Sequence, residues 1–374
     1  MGYSLTTLWY ERQRYFPAIL AVGFSSLLGC LQFGLLLGLF SIVSIPIDNS
    51  RADIWLGAPQ ALSVDLGRPI RESQAVDRLA SNPEVDRCET YLQGFAYWAK
   101  PNGGMELCMV IGCRLDDKSL GRIKQLTPEL HHQLTEPGSI VVDESDLARL
   151  GLKQVGDTAE IVGNRVRVVG LTKGVKSLAG PYVMCSVTTA RSLLRLMPEQ
   201  ITYVLGKCHD PADAAKVVAR LREAHGTDIS VFAADEFSFR SRWHWLTKTK
   251  AGFALGYAAV LGLMVGAVVT SQTLYAATAA SLREFAVLRA MGIPRWRMSV
   301  LVMSQATWVG VVGVLLSFPA IFGLARVADI YGVQVLLDWR MLASVSGITL
   351  VMAVFSGLYA LRSLKHVEPA LLLR

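Results

Sequence analysis

The sequence predicts an α-helical membrane protein with four transmembrane helices and one α+β extracytoplasmic domain inserted between the first and second of them. Three observations carry this prediction. Of 374 residues, 52% are hydrophobic and only 18% charged, whereas about a quarter of the residues in a soluble chain are charged. Uncharged, apolar runs cover residues 16–47, 251–282, 298–325 and 341–361, each long enough for the ~20 residues that cross a bilayer core. Between the first two runs, residues 48–250 alternate short β-like stretches with helical ones and contain no low-complexity tract. The expected divisions are therefore 1–47, 48–250 and 251–374.

The first run is longer than the ~7–15-residue apolar stretch of a secretory leader, so it is read as a retained span. Its partner on the N-terminal side, with Tyr3, Leu5, Leu8, Trp9, Tyr15 and Phe16 among Glu11, Arg12 and Arg14, reads as an interfacial helix. The net charge of +7, from 37 basic and 30 acidic residues, does not form the stripe or patch that nucleic-acid binding requires. It follows the membrane instead. Arg12 and Arg14, the link residues Arg283, Arg289, Arg295 and Arg297, and the tail residues Arg362, Lys365 and Arg374 fall on one side. The loop between the third and fourth spans offers only Arg326 and Arg340. Basic short segments stay cytoplasmic, while long domains translocate largely regardless of charge. Both termini are thus expected in the cytoplasm and the large domain outside. Trp243, His244 and Trp245, followed by Lys248 and Lys250, read as the aromatic belt at re-entry.

Small residues recur four apart at Gly34 and Gly38, Gly252 and Gly256, and Gly262 and Gly266. That spacing lets helix backbones approach closely in lipid.

Inside the inserted domain, residues 140–142 read as a strand entering a helix start at Asp143 and Glu144. Two alternating runs, 159–162 and 166–169, flank Gly163-Asn164 and read as a hairpin. Residues 203–205, 211–225 and 229–232 read as a β-α-β unit, matched by an earlier one at 54–56, 72–79 and 90–98. Cys88, Cys108, Cys113, Cys185 and Cys208 are odd in number, so one at least is unpaired. Buried free thiols with at most one disulfide are expected. No cysteine or histidine spacing fits a zinc site, and His131-His132 are adjacent residues of a helix that point in different directions.

Chemistry is mostly missing. There is no phosphate-cradling Gly-x-x-x-x-Gly-Lys-Ser/Thr loop, no His-Glu-x-x-His motif and no Gly-x-Ser-x-Gly elbow. The spans are nearly free of ionisable side chains, which disfavours a proton-coupled pump. The distinctive element is the link 281–297. Phe285, Leu288 and Met291 fall on one helical face, Arg283, Glu284 and Arg289 project elsewhere, and Gly292 with Pro294 ends the helix. A plain amphipathic connector at the membrane surface fits the same residues.

The run Arg283-Glu284-Phe285-Ala286-Val287-Leu288-Arg289-Ala290-Met291-Gly292 also resembles the Arg-Glu-Ile-Gly-x-Leu-Arg-Ala-Leu-Gly signature of a permease family. That family includes FtsX, the macrolide exporter MacB and the lipoprotein-release permeases, and carries the signature between the second and third of four spans. The tail 363–374, which ends Glu368-Pro369-Ala370-Leu371-Leu372-Leu373-Arg374, is similar to the family's closing Asp-Pro-x-x-x-Leu-Arg. Residues 141–144, 150–152, 155–157 and 166–170 resemble its extracytoplasmic domain. Phe285, Ala286 and Glu368 stand where Ile, Gly and Asp are usual, keeping apolar and acidic character. Within the family, length and the lack of a fused ATPase look most like the DevC-type permeases of cyanobacterial glycolipid export.

The resemblance implies the membrane subunit of an ABC transporter in a bacterial inner membrane, a homodimer driven by a separate ABC ATPase. ATP and Mg would be bound by that partner, with no cofactor, metal or catalytic residue in this chain. Arg283, Glu284, Phe285, Leu288, Arg289, Met291 and Gly292 would couple to the ATPase, and Pro369, Leu372 and Arg374 would add a second contact. The stalk 237–250 would pass motion outward to export or extract a lipid-like or amphipathic substrate. A periplasmic adaptor and outer-membrane duct, together with membrane lipids, complete the implied partners. A signalling regulator of the same architecture, acting on a cell-wall hydrolase or kinase, is the alternative.

Overall fold

The computed structural model describes residues 12–122, 127–175, 177, 180–280, 287, 291, 294–330, 333 and 335–364. The chain divides into two compact units, one of Leu39–Thr249 and the other of the helical segments on either side of it. Helix α1 (Arg12–Ser41) continues through a 3-10 turn (Ile42–Ser44) into the short α2 (Ile45–Asp48). The inserted domain then runs β1 (Ile54–Gly57), β2 (Ile70–Arg71), α3 (Glu72–Ala80), β3 (Val85–Ala99) and β4 (Met105–Cys113). It continues with α4 (Pro128–Leu134), β5 (Ser139–Asp143), α5 (Leu147–Leu150), β6 (Thr158–Ile161), β7 (Asn164–Thr172) and β8 (Tyr182–Ser186). It ends with α6 (Val187–Leu193), β9 (Gln200–Ile201), β10 (Tyr203–Cys208), α7 (Ala214–His225), β11 (Ser230–Ala233) and α8 (Ala234–Lys248).

Nine strands form one sheet in the order β11-β1-β10-β3-β4-β8-β5-β7-β6. The two β-α-β units interleave at one end: β1 lies between β10 and β11, antiparallel to both, and β10 pairs antiparallel with β3. This is the split β-α-β arrangement, which puts α3 and α7 on one face. At the other end β6 returns to pair with the tip of β3, Trp98 opposite Ile161, closing six strands into a ring. Closure leaves that half with no free edge to template aggregation.

The long β3 joins both halves because its alternation is unbroken. Leu92, Ala96 and Trp98 face a core with Ile54, Leu79, Val110, Val142, Ile161, Val217 and Leu221. Tyr91, one register out, faces a second core with Trp55, Met109, Tyr182, Tyr203 and Phe237. The β6–β7 turn falls at Val162-Gly163, one residue before the Gly163-Asn164 expected. Both turn residues have positive φ, 48° and 83°, as a two-residue hairpin turn with the strands' own twist requires. Only the glycine adopts that region freely, which is why the sequence points to a turn one residue late.

The first apolar run is divided between the two compact units at 38/39. Ile42, Val43, Pro46 and Ile47 are buried, and Ile47 packs with Ala52, Trp55 and Val64 in the second core. The surplus over ~20 residues is therefore apolar because it packs in the domain.

The helical unit contains the rest of α1 with α9 (Lys250–Ala280), α10 (Arg295–Ile330) and α11 (Trp339–Leu364). Among the described residues four helices are long and apolar enough to cross a membrane: Tyr15–Asp48, Gly252–Thr273, Ser299–Ile330 and Trp339–Leu358. Tyr15, Ala18 and Val22 of α1 pack with Ala306, Val309 and Val314 of α10 and Ala353 of α11. Lower down, Cys30 meets Ile321, Met341 and Val345. The interfacial helix expected before residue 12 lies outside the described residues.

All six cysteines are free thiols, which removes the disulfide that the odd count had left open. Five are buried and Cys88 is half-buried. Burial pushes the Cys108 and Cys113 thiols up to about 12 and Cys88 up to about 11. We expect every cysteine to alkylate when the chain is denatured without reductant, with Cys88 the first to react in the native domain. A cysteine pair that alkylates only after reduction would contradict this.

Candidate functional site

Most of the expected coupling segment, Arg283, Glu284, Phe285, Leu288, Arg289 and Gly292, lies outside the described residues, as do Pro369, Leu372 and Arg374. Of its apolar face, Met291 is described and is exposed, with Val287 exposed beside it. The Met291 N–H donates to the Val287 carbonyl at 3.1 Å, which is one turn of helix. After Pro294, α10 begins with an exposed Trp296 under the Arg297 guanidinium, 5.3 Å from the ring centroid.

Within the helical unit, two of the six glycines lie where α1 meets α9. A Cβ on Gly262 would stand 2.3 Å from Gln32 Oε1, and one on Gly266 would stand 2.9 Å from Ser25 Cβ. Ser25 Oγ donates to the Gly266 carbonyl at 3.1 Å and lies 3.2 Å from Thr270 Oγ1. Ser317 Oγ of α10 donates to Ser26 Oγ at 3.1 Å. Such bonds are worth having where no water competes. Gly34 is crowded by Val335 and Leu337, and its carbonyl accepts from the Leu336 N–H at 2.9 Å. A Cβ on Gly256 would meet open space. Gly38 and Gly252 are buried along the same helices.

The inserted domain gathers its large side chains under α8. Trp55 is fully buried, with the Tyr91, Tyr203 and Phe237 rings 5.2, 5.5 and 5.9 Å away. Phe237 also stacks on Phe232 at 4.9 Å. One helix is thereby pinned to three strands. Along the same helix, Ser241 Oγ accepts from the Val64 N–H at 3.1 Å. Trp245 Nε1 donates to Asp65 Oδ2 at 2.8 Å, and Ser63 Oγ donates to the other oxygen. Trp245 is therefore an anchor to the domain in addition to any interfacial part it plays.

Burial raises the Asp65 carboxyl above its ordinary value, against the opposing hydrogen bonds from Ser63 and Trp245. An acid whose folded value is raised contributes stability below the ordinary carboxylate range, and loses it as pH rises through the folded value. Asp65→Asn should therefore melt higher than wild type near neutrality, the gap closing toward acid. A gap that widens toward acid would contradict this.

Where the two connecting segments lie side by side, Asp48 holds a polar cluster. Its Oδ2 accepts from Ser44 Oγ at 2.7 Å and from Arg242 Nη2; its Oδ1 accepts from Ser238 Oγ at 2.7 Å. Arg242 Nε donates to Ser44 Oγ at 2.7 Å. None of these four residues is singled out by sequence. Asp48 reads as the charge that ends an apolar run, and Arg242 as one charge among several. An acidic residue closing a span, with a Ser-x-x-x-Arg pair on a later helix, is the pattern to look for.

Among the described residues no group of three His, Cys, Asp or Glu side chains could hold a metal ion. Residues 18–224 match the model of the MacB-like periplasmic core domain, and residues 256–369 that of the FtsX-like permease C-terminal region. Solved structures similar to the chain include the periplasmic region of MacB from Actinobacillus actinomycetemcomitans, at 16% identity and a TM-score of 0.34, covering 50% of this chain and 92% of that one. The extracellular domain of the noncanonic ABC-type transporter YknZ from Gram-positive bacteria is similar at 13% identity and a TM-score of 0.32, covering 48% and 98%. No curated protein matches the chain.

Proposed function

The chain belongs to the family of MacB-like and FtsX-like ABC permeases, and from that premise we propose that it couples a separate ABC ATPase to movement of its inserted domain, exporting or extracting a lipid-like or amphipathic substrate. One observation carries this reading: a MacB-like match that takes in most of the first apolar helix and the inserted domain is followed by an FtsX-like region with three more apolar helices. The ATPase binds ATP and Mg. This chain contributes no catalytic residue.

Orientation follows the basic residues, with both termini in the cytoplasm and the inserted domain in the periplasm. The link 281–297 and the tail residues Pro369, Leu372 and Arg374 meet the ATPase. Two copies form the permease, and the periplasmic domains engage an adaptor leading to an outer-membrane duct. Support for a mechanical mechanism comes from the spans, whose bonded polar contacts are small hydroxyls such as Ser25–Thr270 and Ser317–Ser26. Packed helices of this kind transmit small shifts.

Reconstitution of the chain with its cassette ATPase in lipid nanodiscs tests the proposal. ATP turnover should depend on the chain, and should be stimulated further by amphipathic substrate with adaptor present. Turnover that responds only to a cell-wall hydrolase or a kinase would replace export by signalling.

A further inference from the structure

The chain passes covalently between its two units at residues 38/39 and 249/250. The segments leading to those points are the 42–48 turn and α2 on one side and α8 on the other. Asp48 and Arg242 tie them together. Ser44 and Asp48 are one helical turn apart, as are Ser238 and Arg242, so two turns lie side by side with a bond at each level. Both Asp48 oxygens are used, by Ser238 Oγ at 2.7 Å and by Ser44 Oγ at 2.7 Å together with Arg242, whose Nε also holds Ser44 Oγ at 2.7 Å.

We propose that this Asp48–Arg242 clamp is a conformational device that makes the two connections move as one body. Motion of the helices then turns the inserted domain as a whole instead of separating its two attachment points. This role rests on the exporter reading. Two features distinguish it from a simple stabilising ion pair. The Arg242 and Asp48 side chains are 42% and 39% exposed, and half-exposed pairs add little to global stability. Attachment of α8 to the sheet is already secured by Phe237 against Trp55, Tyr203 and Phe232. What the clamp adds is register: sliding one segment by a turn breaks all three bonds between the segments together, Ser238–Asp48, Arg242–Asp48 and Arg242–Ser44, which makes the contact two-state instead of continuously deformable.

The test uses the full chain with its cassette ATPase in nanodiscs and reads hydrogen exchange by mass spectrometry with and without ATP. Wild type should show an ATP-dependent change in peptides covering β1 and residues 61–67. In D48N and in R242Q that change should shrink by about two- to thirtyfold, the range in which single residues modulate coupling. ATP turnover and the melting temperature of the inserted domain should stay as in wild type. The exchanged pair D48R/R242D should restore the response. An undiminished response in both single variants would overturn the clamp, as would loss that follows lowered thermal stability. Absence of any ATP response in wild type would overturn the exporter reading and the clamp with it.

Discussion

Replacing Glu284 and Leu288 together with alanine is expected to abolish stimulation of the partner ATPase while membrane insertion and the fold of the inserted domain are unchanged. Sequence spacing predicts Glu284 on the charged side of the link and Leu288 on the apolar side with Phe285 and Met291. Each type of contact does different work at an interface: charge sets register and encounter, while a buried apolar anchor supplies most of the affinity. Loss of both should weaken docking by about a hundredfold or more, since one such anchor is worth about 2 kcal/mol or more. ATP turnover by the reconstituted complex measures it directly. Full stimulation in the double variant, at matched expression, would show that the ATPase docks elsewhere.

The second large effect concerns the inserted domain. Trp55→Ala should cost about 3–5 kcal/mol, the usual penalty for emptying a large buried aromatic site. Trp55 is fully buried among Tyr91, Tyr203 and Phe237, so neighbours on two strands and α8 would have to collapse into the space together. At roughly 2–4 °C per kcal/mol for a domain of this size, the melting temperature of the purified full chain should fall by several degrees or more. Trp243→Ala is the control, because Trp243 is 55% exposed on the same unit and its loss should barely change unfolding. Equal effects from both would place the core elsewhere.

How much of this was legible in the sequence depends on how local each feature is. The four apolar helices, the two β-α-β units and the 140–169 strand pattern were readable because each is specified by its own run of residues. The division of the first run between the two compact units, at 38/39, was not. Residues 39–47 are as apolar as the helix before them, and composition cannot tell a side chain in lipid from Ile47 packed against Trp55. Sheet order was also hidden, because β8 lies between β4 and β5, and β6 against the tip of β3, through pairings between residues far apart in the chain. The α1–α9 meeting at Gly262 and Gly266 was signalled by small-residue spacing, yet the same spacing at Gly256 faces open space. The Asp48 cluster left no signal at all: a single carboxylate becomes a hub only once residues 44–48 and 238–242 are side by side.

The measurement that tests the central claim most directly is affinity purification of the tagged full chain from detergent-solubilised membranes, with identification of what is held. A cassette ATPase in stoichiometric amount is expected, with a periplasmic adaptor beside it. A purified chain that brings down no ATPase would contradict it.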